Sequence, residues 1–511
     1  MTSLDTTRRG LLMGSGAAVA AAFGGPLAAL ASRHAAAASG DQCAAADASV
    51  LVDSPYGPVA PVNDQTTGLP LIQLPPDFSY KSHGWTGDAM SDGLATPGNH
   101  DGMGVVVSRR VGRSQEIILV RNHERSTSSN AANIIGASRS NVAKYDTGTT
   151  SGAYQIGGNS NLVWRDGQWV GSYASLGGLY RPCAGGASSW GSWLSNEEIR
   201  SNGVSSTGKK HGYVFEVPAD TSLNAANATP IVAMGRMAHE ASALDLRTGY
   251  WYLTEDQGNA NTLYRFRPSN LVGALNSLHA GGTLQGLKVR NQPNADLRFP
   301  TLCQEFAVEW VDIANPDLDG ATLASVVGNV SASGPYRQAY ANGAAIFGAT
   351  EGCWVADGVV YFTDKATGTS PVARAGVIWA LHLDSMVLKA IFVSRDRVVG
   401  NSPDNICVSP RGGLLFNEDG GNSAPQSAQI ESQHLKVLTP QGSSYIFAKH
   451  NFNFTAAQLS GAGKSTSLAG DHRDSEWAGS VFSPDGRVLF VNLYTPGITL
   501  AITGPWSRGH L

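Results

Sequence analysis

The sequence predicts an all-β protein, a six-bladed β-propeller with loop insertions, and three observations predict it. Composition is the first: 60 Gly, 24 Pro and only 15% charged residues suit short strands joined by many tight turns, with long amphipathic helices scarce. The second is a recurring hairpin. A polar or acidic residue opens a short apolar strand, a Gly- or Asp-containing turn follows, and an aromatic-rich strand closes on another acid. The third is spacing, since opening and closing groups stay about 13 to 16 residues apart, the length of two strands and a turn. A pair of β-sandwiches is the architectural rival.

From the start of the chain, TTRRGLLMGSGAAVAAAFGGPLAALA places Arg8-Arg9 before an uncharged, Ala/Gly-rich apolar run that ends in small residues near Ala31 to Ala38. This pattern predicts a twin-arginine export signal over 1–38, with the twin-arginine translocase as partner during export. A permanent anchor is the alternative reading of that run, and no later segment has enough uninterrupted apolar residues to span a bilayer. Stable membrane insertion is therefore not expected once the signal is removed. The expected location is periplasmic, cell-wall-associated or extracellular. Residues 39–79 read as an N-terminal extension and 80–511 as a single β-propeller domain. By length alone, the roughly 470 remaining residues suffice for one large β domain or two ordinary ones.

The clearest hairpins are HEASALDLRTGYWYLTEDQ, EGCWVADGVVYFTDK, PDNICVSPRGGLLFNEDG and EWAGSVFSPDGRVLFVNL. Their opening groups are Glu240, Glu351, Asp404-Asn405 and Glu476; their closing groups are Glu255-Asp256, Asp364, Glu418-Asp419 and Asn492. RPCAGGASSWGSWLSNEE is another copy, opened by Cys183 and closed by Glu197-Glu198. A diverged first copy runs from NHDGMGVVVSRR to IILVRNHE and ends at Glu124. Six copies, separated by variable stretches such as WTGDAM, 141–180 and 311–345, predict six four-stranded blades around an axis. Inner strands of a propeller begin at the rim of a central channel, so the opening and closing acids converge there.

Several carboxylates cannot all ionise in one cavity without a counter-charge. Either they spread over a wet surface or cations hold them. Hard oxygen ligands favour calcium, manganese or ferric iron, and a thiolate from Cys183 favours a transition ion beside the calcium. Gly185-Gly186 lets backbone approach such a cluster closely. Plainer readings stand beside these. A lone cysteine in a β protein serves as a small buried hydrophobe, and an acid at a strand end forms a solvated turn. Recurrence at one place in the repeat favours function for Glu198, Glu240 and Glu351.

Cys303, Cys353 and Cys407 lie in or beside apolar strands and read as structural. Five widely spaced cysteines, Cys43 included, do not make a disulfide scaffold. His123 and His239 each precede a glutamate, and adjacent strand residues point to opposite faces, so the glutamates take the channel and the histidines pack. No zinc spacing, nucleotide loop or G-x-S-x-G elbow occurs. A net charge of −4, with no basic run interleaved with aromatics, argues against a nucleic-acid partner.

RNHE, PCAGG followed by WGSWLSNEE, HGYVFEV, GRMAHE, EGCW, PDN and FSPDGRVLFVN occur in that order. Together they resemble the PhoX-type exported alkaline phosphatases, from about Tyr80 to the C-terminus. The resemblance implies a six-bladed propeller whose channel holds ferric ions, Fe(3+), and calcium ions, Ca(2+), joined by an oxo bridge. It implies a small-molecule phosphate ester, a monoester, as substrate, and a monomer is expected. By matching motifs, the implied metal ligands and catalytic residues are Glu124, Cys183, Glu198, Glu240 and Glu351. Glu255, Asp256, Glu418, Asp419 and Glu476 are implied less directly, as holders of further calcium ions or as groups that orient ligands. One departure matters. The family's phosphate-contacting arginine sits two residues before the glutamate of the EG motif, where this chain has Ala349 in Phe347-Gly348-Ala349-Thr350-Glu351-Gly352. Arg337, Arg374 and Arg473 are candidate replacements, and Asn196 stands where the family often has a cysteine. Two alternatives remain: a propeller hydrolase of lactones or phosphotriesters, which need no clamp for a charged phosphate, and a non-catalytic calcium-binding propeller.

Overall fold

The computed structural model describes residues 48–148, 153–200, 209–219, 227–323, 331–367, 374–420 and 432–511. The export signal and Cys43 lie outside the described residues, as does the side chain of Arg374. Among the described residues the only α-helices are two short ones, Gly334–Ala341 and Ala456–Gly461, and no helix is long and apolar enough to cross a membrane. The rest is strand, turn and loop with a few single-turn 3-10 helices, as the composition predicts.

Every predicted hairpin forms. The first strands are His100–Val111, Pro182–Ala187, His239–Asp245, Thr350–Ala356, Pro403–Val408 and Trp477–Phe482. They pair antiparallel with Ser114–His123, Ser192–Glu197, Tyr250–Glu255, Val359–Thr367, Leu414–Glu418 and Leu489–Leu493. Each first strand packs beside the next, and the last packs beside the first, so they ring one axis. Glycine permits that approach: a Cβ on Gly186 would meet Ser242 O at 1.9 Å, and one on Gly352 would meet Asp404 O at 2.6 Å.

Apolar side chains from facing sheets fill the gaps between successive hairpins. Val120 packs with Phe215, Leu194 with Trp251, Tyr252 with Phe362, Tyr361 with Phe416, and Leu415 with Val491. The last gap is closed by Phe490 against Leu119 and Trp164. Alternation explains this, because each second strand turns its odd and even residues to opposite neighbours. Cys353 and Cys407 belong to two of these cores as free, buried thiols, and burial pushes the Cys407 thiol up to about 12. Cys303 is disulfide-bonded.

Outer strands complete the sheets. Glu305–Asp312 pairs with Gly282–Val289 on one side and Val387–Ser394 on the other, joining the third and fourth hairpins into a nine-stranded sheet. Ser79–His83 lies beside Ile498–Thr503, so both ends of the chain build the last sheet. Ala60–Val62 and Ile72–Leu74, within the stretch read as an extension, add to the sheet of the fifth hairpin along Ser444–His450. The arrangement is all-β and propeller-like. Its axis carries a cavity of about 290 Å³ lined largely by apolar side chains, among them Met103, Ala184, Ala241, Cys353, Ile406 and Val481.

Candidate metal centre

Five of the first strands break register at the same place. Two residues face one between His100/Met103, Pro182/Gly185, His239/Ser242, Thr350/Cys353 and Pro403/Ile406. Such a bulge re-aims the side chain it carries. The first bulged residues are Asp101, Cys183, Glu240, Glu351 and Asp404, all buried. In the sixth strand the bulge falls one step later, between Ala478 and Val481, and the acid comes instead from Glu476, just before the strand. These side chains meet at the head of the channel. Cys183 Sγ lies 3.3 Å from Asp101 Oδ2. Ligand atoms of Cys183, Glu198 and Glu240 lie within 4.8 Å of one another, as do those of Glu240, Glu351 and Asp404, and those of Asp404, Asp419 and Glu476.

The closing ends sort by alternation. The first ladder partners are His123, Glu197, Glu255, Asp364, Glu418 and Leu493. The residues after them are Glu124, Glu198, Asp256, Lys365, Asp419 and Tyr494, and these face the centre. Arg181 bridges Glu124, with Nε at 2.7 Å, and Glu198, with Nη2 at 2.5 Å, while the Tyr494 hydroxyl donates to Glu124. Asp256 is the charged neighbour that acts most strongly on both Glu198 and Glu351. The first partners turn into the sheets instead. His123 bonds Gly98 O and Ser160 Oγ, and His239 bonds Gly235 O, as expected for packing histidines. Glu197 holds His211 at 2.7 Å, and Asp364 accepts from Ala349 N. Glu255 and Glu418, expected from the sequence to hold further calcium ions or to orient ligands, also turn into the sheets: Glu255 accepts from the Tyr264 hydroxyl, and Glu418 pairs with Lys436 and His434, each at 2.7 Å.

A belt of hydrogen bonds fixes the bulges. In the first four hairpins the residue opposite the bulge donates to the carbonyl of the inward-facing residue in the next hairpin. Asn122 Nδ2 donates to Cys183 O at 2.8 Å, Asn196 Nδ2 to Glu240 O at 3.1 Å, and Thr254 Oγ1 to Glu351 O. Thr363 Oγ1 donates to Asp404 O at 2.6 Å, and in the sixth hairpin Asn492 Nδ2 donates to Asp101 O at 2.6 Å. The fifth hairpin differs, its Asn417 Oδ1 accepting from Ser480 Oγ at 2.7 Å. Sequence reasoning missed this belt and Asp101. The signal was an Asn or Thr immediately before each closing pair, in RNHE, SNEE, LTED, FTDK, FNED and VNLY.

The acids press on one another. Burial, and after it the charges of Glu124 and Asp404, push the Asp101 carboxyl well above its ordinary range. Burial followed by neighbouring carboxylates does the same to Glu198, Glu240, Glu351 and Glu476. The Cys183 thiol is also pushed up, by burial and then by Asp101 and Glu240. Among the described residues neither Glu351 oxygen accepts a hydrogen bond, and its cationic contact is Lys365 Nζ, 3.2 Å from Oε1. Buried, mutually raised carboxylates with orphaned oxygens and one thiol fit hard cations beside a transition ion. Two of the candidate arginines are engaged elsewhere, Arg337 with the Ala332 and Leu323 carbonyls and Arg473 with Asp471, and the side chain of Arg374 lies outside the described residues. Among the described residues, Arg181 and Lys365 are the basic groups that pair with these acids.

Fold and site together define an all-β, propeller-like protein with a carboxylate–thiol cluster at the head of its channel. Residues 54–497 match the family described as Alkaline phosphatase PhoX, and the chain belongs to that family, which makes it phosphatase-like. Among solved structures it is similar to Pseudomonas fluorescens PhoX in complex with vanadate, a transition state analogue. The TM-score is 0.58 at 16% identity, over 89% of this chain and 99% of that one, a likeness of fold. A Xanthomonas campestris gluconolactonase matches at TM-score 0.31 and 12% identity, over 83% of this chain and 100% of that one. The PQQ domain of pyranose dehydrogenase from Coprinopsis cinerea matches at 0.28 and 10%, over 84% and 97%. The last two carry no functional argument. No curated protein matches the chain.

Proposed function

We propose that this chain is an exported, metal-dependent phosphomonoesterase, a six-bladed β-propeller holding Fe(3+) and Ca(2+) at the head of its channel. The six first strands, the last packed on the first, support the six blades. Paired Arg8-Arg9 before an apolar run supports export by the twin-arginine translocase. The observation that carries the metal reading is the three overlapping ligand triads on Cys183, Glu198, Glu240, Glu351, Asp404, Asp419 and Glu476, with neither Glu351 oxygen accepting a hydrogen bond among the described residues.

Such ions, when bound, supply Lewis acidity toward phosphoryl oxygens and activate water for attack. The chain's own residues do the rest. Asp101, Cys183, Glu198, Glu240, Glu351 and Asp404 present ligand atoms from bulges locked by the belt. Glu124 orients Tyr494 and Arg181 at the mouth. The apolar cavity beneath the acids limits water and strengthens the electrostatics of the site.

Recognition of the phosphate falls to Arg181. Its side chain is 36% exposed, and among the described residues Nη1 has no partner while Nε and Nη2 are held by Glu124 and Glu198. A planar guanidinium with a free edge suits a phosphate dianion. Arg181 precedes Cys183 by two residues, as Ala349 precedes Glu351, and the two occupy equivalent places in their hairpins. Thus the clamp that Ala349 cannot supply comes from another hairpin. The test is phosphate release from a phosphomonoester at alkaline pH by metal-loaded wild type and Arg181→Gln. Wild type releases phosphate, and the variant keeps its metal while KM rises at least about 10-fold, the loss of one charge-assisted contact. No release by metal-loaded wild type from any monoester or diester refutes the proposal, and lactone turnover in its place selects the rival hydrolase.

A further inference from the structure

Lys365 stands where the repeat puts a carboxylate. At the equivalent closing position the other hairpins carry Glu124, Glu198, Asp256 and Asp419, with Tyr494 in the last. The fourth hairpin reverses the charge. The Lys365 ammonium lies 3.2 Å from Glu351 Oε1, 3.1 Å from Asp404 Oδ2 and 3.0 Å from Asp419 Oδ2. Those carboxylates come from the start of one strand, the start of a second and the end of a third.

This is the surrounding a hard divalent ion would have: several carboxylate oxygens from separate strands converging on one cation. The ammonium forms ion pairs with all three carboxylates, at 3.0 to 3.2 Å rather than at metal–oxygen distances. The position also straddles two ligand triads. Glu351 and Asp404 belong to the triad with Glu240, and Asp404 and Asp419 to the triad with Glu476. The ammonium therefore draws on carboxylates of both. It is not a loose surface lysine. Its side chain is 22% exposed, its main-chain N–H donates to Ala349 O at 2.9 Å, and the residue pairs with Gly376 across the next strand.

We propose that Lys365 is a built-in cation that takes the place of one divalent ion between Glu351, Asp404 and Asp419. This inference rests on reading the cluster as a metal centre. A tethered single charge balances part of the acid cluster without exchange with solvent. The wild-type centre consequently holds one calcium ion fewer than the carboxylates alone would take. Lys365→Met removes the charge while keeping much of the stem, and Lys365→Glu restores the carboxylate that the repeat places elsewhere. Lys365→Arg keeps the charge.

The test is elemental analysis of purified protein equilibrated with calcium, together with calorimetric calcium titration of wild type and the three variants. Lys365→Met and Lys365→Glu are expected to bind one more calcium per chain than wild type, with iron content unchanged and Lys365→Arg like wild type. The added ion binds at least about 10-fold more tightly in Lys365→Glu, which supplies a further hard ligand. If Lys365→Met folds only with calcium, the calcium needed to refold it, followed by near-UV circular dichroism, counts the same ion and supports the proposal. Metal-loaded wild type and variants with equal calcium overturn the inference alone. Wild type and all variants free of metal overturn the metal-centre reading, and the inference falls with it.

Discussion

Replacing Asn122 by alanine should weaken both the fold and the centre, and the belt lets the effect be sized. Asn122 Nδ2 donates to Cys183 O and Ala184 O, each at 2.8 Å, and Oδ1 accepts from Trp193 Nε1 at 3.0 Å. Asn122 and Trp193 are buried, so water cannot replace the lost partner. Oδ1 also accepts from Asn159 Nδ2 and Ser195 Oγ, which keep a bond to each other. A buried polar group stripped of its partner costs about 1–3 kcal/mol, so the Cys183 and Ala184 carbonyls and the Trp193 N–H, partly relaxed, together cost on the order of 3–6 kcal/mol. Thr254 and Thr363 fill the same place in other hairpins, so Asn122→Thr keeps one donor and loses roughly half as much. Loosening the Cys183 backbone should also lower metal affinity about 10-fold, as loss of a ligand-supporting contact does elsewhere. Denaturant unfolding of loaded and chelated protein, with metal retention against a weak competitor, reads both effects. An Asn122→Ala variant within about 0.5 kcal/mol of wild type in both states, with unchanged metal retention, would refute the belt as the device that positions the ligands.

His211, buried between Glu197 at 2.7 Å and Asp146 at 2.9 Å, gives a pH signature. Burial alone would lower its pKa, but the charge of Glu197 and the hydrogen bonds to Asp146 and Glu197 outweigh it and hold the group at about 9. A folded pKa above the unfolded value near 6.5 gives stability that is complete below pH about 6.5 and lost as pH rises through about 9. His211→Gln should therefore fall short of wild type by up to about 3 kcal/mol at pH 6, with the gap closing above pH 9; a gap constant with pH rejects this. Glu418→Gln should cost about 3–5 kcal/mol, because it strands the fully buried Lys436 ammonium, and should leave metal content intact. Asp419→Asn should do the reverse, lowering calcium content with a smaller loss of stability. Elemental analysis and unfolding of both variants separate the two faces, and metal loss in Glu418→Gln would mean that they are assigned the wrong way round.

The hairpins were legible because each must alternate apolar and polar residues, and because each begins and ends with groups that meet at one place. Hence Cys183, Glu198, Glu240, Glu351 and Glu476 were readable, and they do converge at the head of the channel. Within an acidic pair, the member that faces the centre depends on register. Glu255 and Glu418 look as exposed in sequence as Asp256 and Asp419, yet Tyr264 and Lys436, on neighbouring strands, claim the first of each pair. Asp101 escaped because a bulge breaks the period-two pattern at the residue that matters. Arg181 and Lys365 escaped because a lone cation beside acids reads as a solvated strand end, and only the ring shows what surrounds it. Pairing of Ser79–His83 with Ile498–Thr503 is a contact between the two ends of the chain that no local pattern announces.

The central claim is that Cys183 and the carboxylates around it hold a mixed iron and calcium centre. Elemental analysis and a visible spectrum of the purified protein, set against Cys183→Ala, test it most directly. The account predicts stoichiometric iron with calcium, and a thiolate-to-iron absorption band that disappears in Cys183→Ala. Calcium without iron, and spectra identical in the two proteins, would contradict it.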